Sequence, residues 1–404
     1  MIREPRAIEL IEHEPKALIP SDVRLETAEA LWQRYSKQVS VVPPSFLNDN
    51  CWQLTNLGWA GYIPLAEDIR IALKPKVPIR NIFAMLEYAY RLKFQTEVSL
   101  YGCETMEDFY GRLAHLLAMK VLYRERKGFY RGYLNRTERL SHLSGRLDVT
   151  DKIKRPWDVT LKCRYEENTA DLAENQILAW TLHIIAKSGF CADQILPTVR
   201  RAYRELQRTV SFVPYCGRDC VKRLYNRLND DYEPMHAICR FFLEHTGPAL
   251  EVGDHAMLPF LVDMARLFEL FVAEFMKKHL PPGYDLQPKE KVYITDDGSL
   301  QFEIDLILSS SISGEPLCVL DTKYKHPDHP STADIQQVTT YAYSQGCRKA
   351  FLVYPAFSPV RQEIKVKDIS IHCVTFSLEN DLEESGKQFL DNLMIACKIS
   401  GVNK

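Results

Sequence analysis

From residue 258 onward the hydrophobic pattern switches repeatedly between the period of a helix and that of a strand. That order limits the fold more than any single motif does. An amphipathic helix, "LPFLVDMARLFELFVAEFMKKHL", is stopped by Pro281-Pro282-Gly283. Strand-like "KVYIT", the turn "DDGS", strand-like "LQFEIDLIL", a serine-rich loop with Gly314, and "PLCVLDTKY" follow. Then come a helical "STADIQQVTTYAYSQG", the strands "KAFLVYP" and "SIHCVTFSL", and a closing helix from about residue 381. The succession α-β-β-β-α-β-β-α predicts an α/β domain over 251–404, a central mixed sheet flanked by helices.

Two other textures precede it. In residues 1–77, Pro43, Pro44, Gly58, Gly61 and Pro64 break up short strand-like runs such as "GWAGYIPL" and "IRIALKP". One helix, "SDVRLETAEALWQRYSKQ", has Ser21 or Asp22 as its cap. This predicts a small β-rich N-terminal domain. Residues 78–250 carry helical periodicity in "IRNIFAMLEYAYRL", "MEDFYGRLAHLLAMKVLYRE" and "TADLAENQILAWTLHIIAKSG", which predicts a mostly helical middle domain. Between the last two lies an irregular, basic and aromatic segment, "RKGFYRGYLNRTERLSHLSGRLDVTDKIK". A chain of 404 residues is long enough for two or three separate cores.

The net charge of −2 excludes a general polyanion binder, so any nucleic-acid contact must use a local basic surface or a metal. The N-terminus has no apolar signal-like stretch, and no apolar run is long enough to span a bilayer. Eleven cysteines, an odd number without regular spacing, fit free thiols in a reducing compartment. A cytoplasmic protein without membrane contact is expected.

"CVLDTKYKHPDHP" puts an acid and a base at the end of an apolar strand, where burying ions costs several kcal/mol each unless something compensates. Side chains alternate along a strand, so Asp321 and Lys323 share a face, as do Glu303 and Asp305 in "FEIDLIL". If the two strands pair, Asp305 and Asp321 converge with Lys323 beside them. Converging carboxylates repel unless a proton or cation lies between them, and a hard divalent ion such as Mg²⁺ takes that role. Lys323 could then orient or deprotonate a water attacking a phosphodiester. Asp-x-Lys alone occurs about once per chain of this length by chance, so the signal is the assembly around it.

That assembly resembles the PD-(D/E)XK nuclease fold, with Ile304-Asp305 in the "PD" place, its proline missing, and Asp321-Thr322-Lys323 as "(D/E)XK". Glu269, off the centre of the stripe Met264, Phe268, Phe271 and Phe275, matches the helical acid that precedes the core sheet in this fold. Gln337 and Tyr341, one helical turn apart, match a Q-x-x-x-Y pair found near the substrate phosphate or metal water. Together "PFLVDMARLFELFVAEFM", "VLDTKYK" and "DIQQVTTYAY", with "LSGRLDV" and "CRYEENTADLAENQIL" upstream, are similar to McrC, the nuclease subunit of McrBC-type restriction systems, over about 80–355.

The resemblance implies a DNA endonuclease that uses Mg²⁺, with Mn²⁺ as the substitute. Glu269, Asp305, Asp321 and the Thr322 carbonyl would be its ligands, Lys323 the base, and Gln337 and Tyr341 auxiliary groups. It also implies a partner, an McrB-like AAA+ GTPase, docked through the middle domain, that recognises double-stranded, methylated DNA and is stimulated by this subunit. The chain has no G-x-x-x-x-G-K-[ST], so no nucleotide of its own is expected. Two rival readings stand beside it: a non-catalytic activator of an AAA+ GTPase, and a stand-alone repair nuclease of the same fold.

Blander assignments compete at each position. Asp305, Asp321 and Lys323 could be a structural ion pair, Glu274 or Glu303 could replace Glu269, and Gln337 and Tyr341 could simply pack. Cys216, Cys220, His236 and Cys239 invite a zinc site, although the spacing fits no usual finger. His326 and His329 read as a solvated loop. The segment with Tyr123, Arg124, Arg126, Lys127, Phe129, Tyr130, Arg131 and Tyr133 could stack on bases or serve as a protein-binding arm.

Overall fold

The computed structural model describes residues 6–20, 22–66, 69–92, 105–189, 191–246, 250–252, 255–293, 301–325, 330–355 and 363–398. His326, His329 and the "DDGS" turn at 296–299 lie outside them. Packing divides the chain into two compact units. One comprises Met1–Phe94, Tyr101–Met106 and Pro259–Lys404; the other comprises Gln95–Leu100 and Glu107–Leu258.

The first unit is mixed α/β. A four-stranded sheet joins β1 (Arg6–Ile11), β2 (Trp59–Ala66), β3 (Ile69–Lys74) and β4 (Phe260–Asp263) in the order β1-β3-β2-β4. β4 pairs antiparallel with β2, Leu261 opposite Gly61. A Cβ at Gly61 would lie 2.0 Å from the Phe260 carbonyl oxygen, and its φ of +127° disfavours any side chain, so only glycine allows this approach. A separate antiparallel sheet holds Pro15–Leu18, Trp52–Asn56 and Val39–Val42. The N-terminal helix runs Leu25–Tyr35 after Arg24, which gives no side-chain cap; Ser21 lies outside the described residues, and Asp22 falls before the helix.

The six-stranded sheet holds β5 (Tyr284–Tyr293), β6 (Gln301–Ser310), β7 (Pro316–Thr322), β8 (Lys349–Tyr354), β9 (Glu363–Val366) and β10 (Ile369–Thr375), in the order β5-β6-β7-β8-β10-β9. β7, β8 and β10 run parallel; the other pairs are antiparallel. All six residues of β8 are buried, as a central parallel strand requires. β9 is the one strand here that the sequence pattern misses. Its "EIKV" is half exposed at the sheet edge, so no apolar run marks it.

Four further helices of this unit are α1 (Ile79–Tyr90), α2 (Met264–His279), α3 (Thr332–Ser344) and α4 (Leu382–Lys398), of which α2 and α3 carry candidate site residues. Asp263 caps α2 through the Ala265 and Arg266 N–H groups, and Ser331 with Asp334 forms a capping box on α3. α2 buries Leu267, Phe268, Phe271, Val272, Phe275 and Met276, a spacing of three and four residues that makes one face. Phe275 and Phe376 meet edge-on with ring centroids 5.0 Å apart. A Cβ at Gly386 of α4 would lie 2.0 Å from the Phe275 ring. On the sheet, α3 buries Val338, Tyr341 and Ala342 against Ile304, Ile307, Val319 and Leu352. Full burial of one such aliphatic side chain contributes roughly 1.5–3 kcal/mol.

The second unit contains the helices Met106–Lys127, Ala173–Lys187, Leu196–Gln207 and Tyr232–His245. It also contains an antiparallel sheet of Gly132–Leu140, Leu161–Thr169 and Arg146–Leu147. The basic segment expected to be irregular therefore contains strands at 132–140 and 146–147 and a short helix at 149–154. Its residues are half-buried or exposed on both faces, so the apolar alternation that announces a strand never develops.

Candidate active site

Adjacent antiparallel strands bring two acids face to face. The register that sets Leu306 opposite Leu320 sets Asp305 opposite Asp321, one step past the last paired residues. Direct cross-strand neighbours have Cβ atoms about 4.5–5.5 Å apart. Asp305 Oδ2 accepts from both the N–H and the hydroxyl of Thr322, each at 2.8 Å. Thr322 thus contributes its donors to Asp305 in this arrangement.

Asp321 is 1% exposed, and its carboxyl is pushed up to about 7 by burial first and the Asp305 charge second, with Lys323 opposing both. Lys323 Nζ lies 2.7 Å from Asp321 Oδ2, close enough for an ion pair. Among the described residues that buried oxygen meets no donor besides this ammonium. Burial works against the Lys323 ammonium, but the Asp321 and Asp305 charges outweigh it and raise its pKa. The desolvation cost of the pair therefore falls mainly on the acid.

A chain of contacts leads outward. Lys323 Nζ donates to Gln337 Oε1 at 2.9 Å, and Gln337 Nε2 donates to the Tyr341 hydroxyl at 2.6 Å. Tyr341 stacks on Phe302 with centroids 5.0 Å apart, fixing the far end. Four of the six residues picked from sequence, Asp321, Lys323, Gln337 and Tyr341, form one connected line. Asp305 adjoins it by register.

Glu269 stands on α2. Burial and the Asp305 charge raise its pKa, against the pull of Lys289. Lys289 Nζ lies 2.9 Å from Glu269 Oε1 and 3.5 Å from Glu303 Oε1. Glu274, the other competitor, pairs instead with Arg91 at 2.7 Å and Lys277 at 3.0 Å. Sequence reading missed Lys289. Extending the β5–β6 register, Pro288 to Leu306 and Glu290 to Ile304, would have put it opposite Asp305.

The chemistry of the candidate donors, carboxylate oxygens of which one is buried and met by an ammonium, would suit a hard divalent cation. Among the described residues, no three His, Cys, Asp or Glu side chains are gathered closely enough to hold an ion. Each acid instead has a partner within the chain: Thr322 for Asp305, Lys323 for Asp321, Lys289 for Glu269.

The zinc candidates do not form such a group. His236 Nδ1 meets the Tyr225 hydroxyl and Nε2 the Glu174 carbonyl, both at 2.9 Å, so neither ring nitrogen is left for a metal. Burial lowers its pKa to about 4, and burial holds the Cys239 thiol well above its usual value. The basic-aromatic segment divides. Arg124 pairs with Asp231 at 3.4 Å and Arg131 donates to Asn168 at 2.7 Å, whereas Tyr123 and Tyr133 remain exposed.

A sequence profile of the family described as "McrBC 5-methylcytosine restriction system component" matches residues 54–355. The chain is 24% identical over 272 residues to the type IV methyl-directed restriction enzyme EcoKMcrBC of Escherichia coli (strain K12), covering 62% of this chain and 74% of that protein. The fold is similar to a chain in the refined half-complex from the tetradecameric assembly of Thermococcus gammatolerans McrB AAA+ hexamers with bound McrC. That match has a TM-score of 0.55 at 16% identity and covers 96% of this chain and 100% of that one. A component of a restriction system is thus the class that the match defines. The chain belongs to the McrBC 5-methylcytosine restriction system component family, as an McrC-type subunit.

Proposed function

We propose that this chain is the DNA endonuclease subunit of an McrBC-like restriction system, with a PD-(D/E)XK site in its six-stranded sheet. The observation that carries the reading is Lys323 2.7 Å from the buried Asp321, with Asp305 of the neighbouring strand hydrogen-bonded to Thr322 between them in sequence. Glu269, Asp305, Asp321 and the Thr322 carbonyl would hold Mg²⁺ or Mn²⁺. When bound, that ion supplies the positive charge that offsets the charge building on a phosphodiester and makes a water more acidic.

The chain's own residues do the rest. Water attacks phosphorus, one P–O bond of the backbone breaks, and the leaving oxygen takes up a proton. Lys323 begins protonated, because the flanking carboxylates hold its proton. In that state it orients water and phosphate by charge; acting as the base requires its contact with Asp321 to open first. Gln337 holds the amine from the other side, and Tyr341 holds Gln337. The rigid sheet keeps these groups from collapsing onto one another.

The Thermococcus McrC is bound to McrB AAA+ hexamers. By similarity we assign this chain an McrB-like AAA+ GTPase as partner, which delivers it to double-stranded DNA carrying methylated cytosine and which it stimulates. The exposed Tyr123 and Tyr133 of the second unit support a docking role for that unit. No helix among the described residues is long and apolar enough to cross a membrane, in keeping with work in the cytoplasm.

One observation favours the non-catalytic activator: each acid already has a partner within the chain. A nuclease assay separates the two readings. It compares the unmodified chain with Lys323→Ala, each with the neighbouring AAA+ GTPase, GTP and Mg²⁺. Cleavage lost in the variant with GTPase stimulation retained supports the endonuclease. An unmodified chain that never cuts, yet stimulates, supports the activator.

A further inference from the structure

Lys289 meets two acids, Glu269 and Glu303. It lies within β5, opposite Asp305 in the extended register, and its side chain reaches Glu269 at 2.9 Å and Glu303 at 3.5 Å. Its backbone has φ +56°, a left-handed conformation that a lysine inside a strand seldom adopts. The ladder pairs Pro288 with Leu306 and Glu290 with Ile304 but skips Lys289 itself. A strained residue at such a place persists only when its surroundings hold it. Here ladder pairs flank the residue on both sides, and its side chain meets two carboxylates, one of them the candidate third ligand.

We infer that Lys289 is a positioning residue, a resident ammonium that occupies Glu269 in the cation-free protein and must be displaced before that acid can join Asp305 and Asp321 around a divalent ion. The inference rests on the reading of those three acids as ligands. It gives the chain a built-in competitor for its own cation, so the site fills only where the ion is abundant or where bound DNA adds further oxygens. Lys323 cannot serve this purpose, because it is held between Asp321 and Gln337. Glu303, 44% exposed, gives the displaced ammonium a second carboxylate to stay with. The exchange then strands no charge.

The test is Mn²⁺ binding to the full chain without DNA or nucleotide, with free Mn²⁺ followed by electron paramagnetic resonance. Lys289→Met should bind Mn²⁺ about fivefold more tightly than the unmodified chain, since one exposed-to-intermediate ion pair no longer competes. Lys289→Arg should restore the weaker binding, and in a Glu269→Gln background Lys289→Met should change nothing. Equal or weaker binding by Lys289→Met, with Asp321→Asn still abolishing it, overturns the competitor role and leaves the ligand reading standing. Mn²⁺ binding that Asp321→Asn does not affect overturns the ligand reading and this inference with it. Lys289→Gln serves in place of Met if the apolar variant does not fold.

Discussion

Replacing Asp321 by Asn should make the cation-free protein more stable in a way that grows with pH. The folded carboxyl is raised to about 7 by burial and by the Asp305 charge, whereas an aspartate in the unfolded chain ionises near about 3.9. Between those values the folded state binds the proton that the unfolded state releases, so stability falls as pH rises from about 4 through 7 and levels off above. For these two pKa values the wild type should lose roughly 2–3 kcal/mol between pH 5 and pH 8 that the Asn variant keeps. Asp321 is 1% exposed, so solvent screens this effect little. Lost contact with Lys323 shifts the variant by a constant, since that ammonium stays charged throughout, and the constant drops out of the comparison. Calorimetry of the full chain in chelator, at pH 5, 6, 7 and 8, reads the effect as a melting-temperature gap that widens by about 5–10 °C for the transition of the first unit. Parallel curves for the two proteins would refute the argument, because they would mean that Asp321 is ionised in the folded state at ordinary aspartate pH.

Lys323→Ala should lower cleavage by about two to three orders of magnitude and also lower the melting temperature, since it leaves the buried Asp321 without its ammonium. Gln337→Ala frees one side of that amine and should cost about tenfold in kcat with little change in DNA binding, measured by single-turnover cleavage and by anisotropy. Gly61→Ala drives a Cβ into the Phe260 carbonyl at a positive φ and should destabilise the first unit by about 2–4 kcal/mol, read by urea titration.

The candidate site was legible from sequence because strand alternation and antiparallel pairing are local rules. Once "FEIDLIL" and "PLCVLDTKY" are read as neighbouring strands, Asp305 and Asp321 must share a face, and Gln337 and Tyr341 follow from helical spacing. What escaped the sequence depends on distant or unmarked partners. The strand Phe260–Asp263 joins Trp59–Ala66 across about two hundred residues, and nothing in "FLVD" distinguishes it from the first turn of the helix it precedes. The strands at 132–140 and 161–169 bury neither face fully, so they lack the pattern by which a strand is recognised. Lys289 escaped because "QPKEK" reads as a charged stretch after a turn; its position follows only from the full register of β5 on β6.

The residues far from the acids explain why the site can bear its internal repulsion. Tyr324, next to Lys323, donates its hydroxyl to Glu12 Oε2 at 3.1 Å, and the same oxygen accepts the Lys76 N–H at 3.2 Å. Glu12 is 3% exposed, so this bond ties the end of the Asp-Thr-Lys segment to the N-terminal strands inside a shielded space, where a hydrogen bond is harder to replace with water. Lys323 N–H in turn donates to the Val353 carbonyl at 2.8 Å, which locks the backbone to the central strand. Two carboxylates facing each other would otherwise relax by splaying the strand ends. With backbone and tyrosine both anchored, the strand end is held, and charge eases the repulsion: a proton on Asp321, the ammonium of Lys323 or, on the proposed reading, a divalent ion. On the proposed reading, a frame that holds the strand end in place would make the acids sensitive to cations.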